Sequence, residues 1–136
     1  ILLTKEYRQE VDGYDFRLPG GKVFDSLEEY NSFLQSDEDI IVPATKKAKE
    51  EAKQEVGLEV KDLEHIYTSV LGATMQWDLL YFVIKESKRG EQELEQGEDI
   101  EVVEVLRDDA LKMCLDGRIS EERSALVLMR YLTGNI

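Results

Sequence analysis

The chain has 136 residues, enough for one domain with one substantial core and too few for a large multidomain enzyme. Hydrophobic residues make up 42% and charged residues 35%, the composition of a globular protein and not of a disordered or fibrous one. Acidic residues number 30 against 17 basic ones, and the net charge of -13 argues against nucleic acid or an anionic membrane as partner. A phosphate-bearing ligand would need a local counter-charge or a divalent cation. The longest apolar run, Leu79 to Ile84, has six residues, far short of the roughly 20 of a membrane span. Cys114 has no partner for an internal disulfide, and the start, ILLTKEYRQE, has no secretory signal pattern, so a cytoplasmic protein is expected. An apolar, strand-like opening without Met suggests that the sequence begins inside a larger domain.

Ile1 to Thr4 reads as a strand that enters the charged segment Lys5 to Asp12. Asp12-Gly13 predicts a turn, Tyr14, Phe16 and Leu18 alternate as in a strand, and Pro19-Gly20-Gly21 breaks the pattern. Ser26 to Gln35 reads as a short helix or an ordered insert, with Leu27, Tyr30 and Leu34 at helical spacing, followed by an acidic turn and a short apolar piece, Ile40 to Val42, of open type. From Pro43 to Val56 the sequence is rich in Ala, Lys, Glu and Gln, and Gly57 is a fitting stop for that helix. Ala44, Ala48, Ala52 and Val56 form a small-residue stripe that lets it approach a sheet.

Leu58 to Ser69 and Trp77 to Ile84 predict strands, Lys85 to Asp99 a solvated loop, and Ile100 to Leu106 a further strand. Asp108 is expected to cap a helix packed through Leu111, Met113, Cys114 and Leu115. Ser120 is expected to cap a last one buried through Ala125, Leu126, Leu128, Met129 and Leu132. The order predicts one sheet with helical packing in a single domain over 1–136.

In the helix ending at Val56, Lys47, Glu51 and Glu55 share one stripe and Gln54 lies beside the two glutamates, opposite the alanines. Such oxygen donors suit Mg2+ completed by substrate phosphate, although a solvated Lys-Glu helix is the plainer reading of spacing alone. Tyr7, Tyr14 and Trp77 read first as sheet-packing residues, with base stacking second. His65 reads as a satisfied strand residue, because no His/Cys cluster accompanies it, and Cys114 as helix packing.

Leu18-Pro19-Gly20-Gly21, with Ala48-Lys49-Glu50-Glu51-Ala52-Lys53-Gln54-Glu55-Val56-Gly57-Leu58, resembles a divergent Nudix box. The family pattern is glycine, five residues, glutamate, seven residues, then Arg-Glu-apolar-x-Glu-Glu-x-Gly-apolar. Glu51 and Glu55 match box glutamates, Gln54 stands where a second metal-binding glutamate is expected, and Glu50 stands where the family has arginine. An apparent insertion of 15 residues, within about 22–43, separates the two halves, and Glu28 or Glu29 are candidates to replace the lost glutamate. Tyr7-Arg8 before the glycine turn, the acidic loop Gly97-Glu98-Asp99 and the two final helices are similar to the ADP-ribose pyrophosphatase branch.

The resemblance implies an α+β fold, the mixed-sheet α/β/α sandwich of the family, with its first core strands missing. It implies hydrolysis of a nucleoside-diphosphate-linked substrate such as ADP-ribose, with Mg2+, or Mn2+ in its place. Glu51, Glu55, Gln54 and the Gly20 carbonyl would hold the metal. Glu98 and Glu55 would be catalytic, with Glu95 and Glu101 as substitutes for Glu98 in the role of base, and Arg8 would contact substrate. Lys47 or Lys53 would compensate for the absent arginine. A nucleotide-binding protein with weakened catalysis is the alternative, and a homodimer is the association the family suggests.

Overall fold

The computed structural model describes residues 1–9, 12–75 and 77–136. Glu10 and Val11, in the charged segment before the first turn, and Gln76, in the loop ahead of Trp77, lie outside the described residues. The chain is mixed α+β, in the order β1 (Leu2–Arg8), β2 (Gly13–Arg17), α1 (Leu27–Leu34), α2 (Ile41–Val56), β3 (Leu58–Ser69), β4 (Leu79–Arg89), β5 (Glu101–Glu104), α3 (Arg107–Leu115) and α4 (Glu122–Leu132).

The described strands form two small sheets rather than the single one expected. One has the order β2-β1-β5 and the other is the hairpin β3-β4. Every pairing in them is antiparallel, so neither is a mixed sheet. β1 runs beyond Thr4 to Arg8, where Glu6 pairs with Asp15 and Tyr7 with Tyr14. Charged side chains do not end a strand whose backbone partners continue.

Alternation along β1 sends neighbouring residues to opposite faces. Leu2 joins Ala52, Val56 and Leu58 with Val60, Ile84 and Val102, so α2 seals a core that draws on both sheets. Leu3, fully buried, joins Ala110, Met113, Cys114, Ile119, Ala125 and Leu128, so α3 and α4 cover the other face of the three-stranded sheet. The result is helix on both faces of that sheet.

Local chemistry explains most of the helix boundaries. Ser26 caps α1 by accepting from the Glu29 N–H, and the Glu29 carboxylate reaches back to the Asp25 N–H at 2.9 Å. Residues 41 and 42 belong to α2, and Gly57 ends it in the left-handed region with φ 64°. A Cβ there would also lie 2.9 Å from the Gly90 carbonyl oxygen, so the position needs glycine twice over.

Several expectations are corrected. β4 begins at Leu79 and runs through the polar residues to Arg89, because Leu58, Glu59 and Val60 supply partners for Arg89, Lys88 and Ser87. No side chain caps α3 from Leu106. Asp108 and Asp109 instead lie in its first turn, where negative charge suits the helix dipole. Glu121, not Ser120, caps α4 by accepting from the N–H groups of Arg123 and Ser124. Ser120 donates to Asp15 at 2.8 Å and ties the helical layer to β2. Leu27, Leu34, Leu115 and Leu126 are exposed, as are Tyr7, Tyr14 and Trp77, which therefore do not pack the core. Tyr7 and Tyr14 meet edge-on at 5.9 Å on an open face.

Candidate functional site

α2 turns its alanine stripe inward, with Ala44 and Ala52 buried, and this fixes the direction of the opposite stripe. Glu55 accepts a hydrogen bond from the Gly20 N–H at 2.8 Å. Glu51 lies so close to Gly21 that a Cβ there would be 2.1 Å from its Oε1. The glycine turn and the two glutamates therefore meet although 30 residues of sequence separate Gly21 from Glu51. The glycine at 21 is required by close approach, since its backbone is not in the left-handed region.

Lys47, one turn before Glu51, comes within 3.5 Å of Glu51 Oε1 and 3.6 Å of Asp25 Oδ1. Glu50, where the family has arginine, is exposed and faces Lys46 at 3.8 Å. Lys53 turns to Glu93 at 2.8 Å. Of the two lysines expected to compensate, Lys47 is the one in contact with a box glutamate.

The charges around this point are uneven. Burial raises the Glu55 carboxyl to about 7, the Gly20 N–H opposes that rise, and Glu51, Glu98 and Glu6 add to it. Glu51 is raised too, by burial first, with Lys47 pulling it down and Glu98 and Glu95 pushing it up. Five carboxylates from β1, α2 and the loop before β5 thus share one field.

That loop is fixed at the end of α2, where helical carbonyls lack partners of their own. The Glu93 N–H donates to the Gln54 carbonyl at 3.0 Å, and Gln92 Nε2 donates to the carbonyls of Glu55 at 2.7 Å and Ile100 at 3.0 Å. Within the loop, Glu98 accepts from the Glu95 N–H at 2.8 Å. Glu101, a proposed substitute for Glu98, instead pairs with Lys5 at 2.7 Å. Glu28 and Glu29 are exposed on α1, and Glu29 is occupied by its cap.

Arg8 pairs with Glu6 at 2.6 Å, and Glu6 is one of the charges that Glu55 feels. Its Nε is buried and has no hydrogen-bond partner among the described residues. His65 is satisfied by Thr68 at 2.9 Å and lies edge-on to Phe82. Cys114 is buried, and burial raises its thiol.

Among the described residues no three His, Cys, Asp or Glu side chains stand close enough to enclose a metal ion by themselves. Mg2+ asks less, since it commonly takes one or two carboxylates and completes its shell with water and substrate phosphate. Two carboxylates converging on a glycine turn fit that donor set. Glu6, Gln92 and the contact of Gly21 with Glu51 are contributions that motif reading missed, whereas Lys47 was visible as a member of the Glu51 stripe. Compared with known proteins, the chain matches no protein-family model and no curated protein.

Proposed function

We propose that this chain is a divergent Nudix-type diphosphatase. Its substrate is a nucleoside-diphosphate-linked compound, first ADP-ribose, split to AMP and ribose 5-phosphate with Mg2+, or with Mn2+ in its place. The observation that carries this proposal is the convergence of Glu51 and Glu55, from one face of α2, on the Gly20-Gly21 turn. Helices on both faces of the three-stranded sheet support the α/β/α sandwich, and Arg8, on the strand that also carries Glu6, is the substrate contact that the resemblance offers.

Glu51, Glu55, the Gln54 side-chain oxygen and the Gly20 carbonyl would hold the metal. A bound divalent ion supplies a Lewis acid for phosphoryl oxygens and a more acidic water. Arg8 binds phosphate or ribose oxygens through its planar donor array. Glu98, from the loop clipped to α2, takes a proton from the attacking water, with Glu55 as the second catalytic carboxylate. The water oxygen bonds to one phosphorus, the P–O bond of the bridge breaks, and the bridging oxygen leaves on the other phosphate.

A nucleotide-binding protein with weakened catalysis is the second reading, favoured by Gln54 in place of a carboxylate and by Glu50 turned toward Lys46. The net charge of -13 disfavours nucleic acid as a partner. No helix among the described residues is long and apolar enough to cross a membrane. A cytoplasmic setting and a homodimer belong to the same proposal. Product analysis with Mg2+ across ADP-ribose, other nucleoside-diphosphate sugars and dinucleotides, for the wild type and Glu55→Gln, tests it. The enzyme reading expects products from the wild type and little from the variant. The binding reading expects ligand uptake without products.

A further inference from the structure

Glu51 sits in an awkward place for a carboxylate. Only 14% of its side chain is exposed, and its Oε1 would lie 2.1 Å from a Cβ on Gly21. A Glu51 free to leave that position would be a poor ligand for any cation. The favourable charge comes from Lys47, itself only 19% exposed and held between Glu51 and Asp25. At 3.5 Å the contact is long for a strong hydrogen bond, so its effect is mainly coulombic, and partial burial on both sides limits its screening.

Placement on the helix matters as much as charge. A cation at position 50 would sit about 100° around the helix from Glu51. Lys47 sits on the same stripe, one turn toward the N-terminus, and meets Glu51 from the side away from Glu55. It takes Oε1, and Glu51 Oε2 carries no protein hydrogen bond among the described residues. Asp25, at the start of the inserted segment, holds the same ammonium, but at 75% exposure its pull is weak.

We propose that Lys47 is a positioning residue: held between Asp25 and Glu51, it keeps the Glu51 carboxylate seated against the Gly20-Gly21 turn, where a divalent cation would meet it, a hold that Glu50, turned to Lys46, does not supply. This inference rests on the reading of Glu51 and Glu55 as a divalent-ion site. The ammonium also repels an incoming cation, but from the far side of the Glu51 carboxylate, so its attraction for Glu51 is the larger effect.

The test is Mn2+ binding by the purified chain at neutral pH, followed by the electron paramagnetic resonance of free Mn2+, which needs no turnover. Glu55→Gln examines the site itself, and Lys47→Met and Lys47→Arg examine the positioning. Lys47→Met is expected to weaken Mn2+ about tenfold, the equivalent of losing roughly 1.4 kcal/mol, and Lys47→Arg to recover most of that. Lys47→Gln, neutral and of similar reach, replaces the Met variant if thermal unfolding finds that one misfolded. Mn2+ binding as tight in the neutral variants as in the wild type, or equally weak in Lys47→Arg, overturns the positioning role while a weakened Glu55→Gln keeps the site. Equal binding by the wild type and Glu55→Gln removes the site, and this inference with it.

Discussion

Replacing Gly21 by alanine puts a methyl group where Glu51 now lies. The new Cβ would be 2.1 Å from Glu51 Oε1 and 2.5 Å from its Cδ, so the carboxylate must retreat by more than about 1 Å to reach an ordinary contact. The backbone at position 21 is open to alanine, and the atom that has to move is the end of a flexible side chain. The fold therefore survives. Losing the contact with Lys47 costs about 1 kcal/mol, and the stiffer unfolded chain returns about 0.4 to 1 kcal/mol, so the melting temperature should move by no more than about 3 °C.

Activity should respond much more than stability. A misplacement of about 1 Å in a group that holds the reacting centre is worth up to about 100-fold in rate. Gly21→Ala is expected to lose between about 10-fold and 100-fold in kcat/KM for ADP-ribose with Mg2+. Gly90→Ala, where a Cβ meets the Gly57 carbonyl oxygen at an ordinary 3.6 Å, is the control and should keep wild-type rates. Gly21→Ala turning over at the wild-type rate with unchanged Mg2+ dependence would refute the role of Glu51.

Two further predictions concern the folded chain. Burial pushes the Glu55 carboxyl up to about 7 in the folded chain, from an ordinary value of 4.5. Between those limits the unfolded chain has lost a proton that the folded chain retains, so stability falls as pH rises through the window and levels off above it. Glu55→Gln, with no charge to bury, should match the wild type below the window and exceed it above by about 1 to 2 kcal/mol, after allowance for solvent screening. Urea unfolding across pH checks this, and a gap that does not grow with pH would contradict it. Leu3→Ala removes a fully buried side chain between β1 and the α3–α4 layer and should cost about 2 to 5 kcal/mol in urea unfolding. Leu34→Ala, at a position 58% exposed, should cost less than about 0.5 kcal/mol, and equal losses at the two positions would contradict the burial pattern.

α2 was the most legible element, because its composition, its alanine stripe and the stop at Gly57 all point the same way. α1 announced itself through Ser26 and Glu29, but its Leu27 and Leu34 stripe remains exposed, since spacing shows that a face exists and not that anything covers it. The far end of β4 was hidden for the opposite reason. Lys85 to Arg89 bury little, and that end of the hairpin is held by backbone pairing and by ion pairs such as Lys61 with Glu86 and Lys85 with Glu64. Such a ribbon has no apolar period to read. The split into two sheets was equally unreadable, because strand pairing is settled by contacts far apart in the chain.

Within the site, Glu51, Glu55 and Lys47 were legible as one helical stripe, and the glycine turn as a break. That the turn meets the stripe depends on the path of residues 22–43, which no local pattern reports. Gln92 reaches the end of α2 from 37 positions after Glu55, and Glu6 acts on Glu55 through its charge from β1. The roles of Tyr7 and Tyr14 were misjudged because alternation assigns them a face of β1 and β2 without saying how much of that face α3 and α4 cover.

The central proposal is that Glu51 and Glu55 at the Gly20-Gly21 turn support metal-dependent cleavage of a nucleoside diphosphate. Its most direct test is chromatographic analysis of products from ADP-ribose and Mg2+, with the wild type and Glu55→Gln side by side. The predicted result is AMP and ribose 5-phosphate from the wild type and a large loss of both from the variant. Equal product formation by the two proteins would contradict the proposed site, and no product from ADP-ribose, other nucleoside-diphosphate sugars or dinucleotides would contradict the hydrolase.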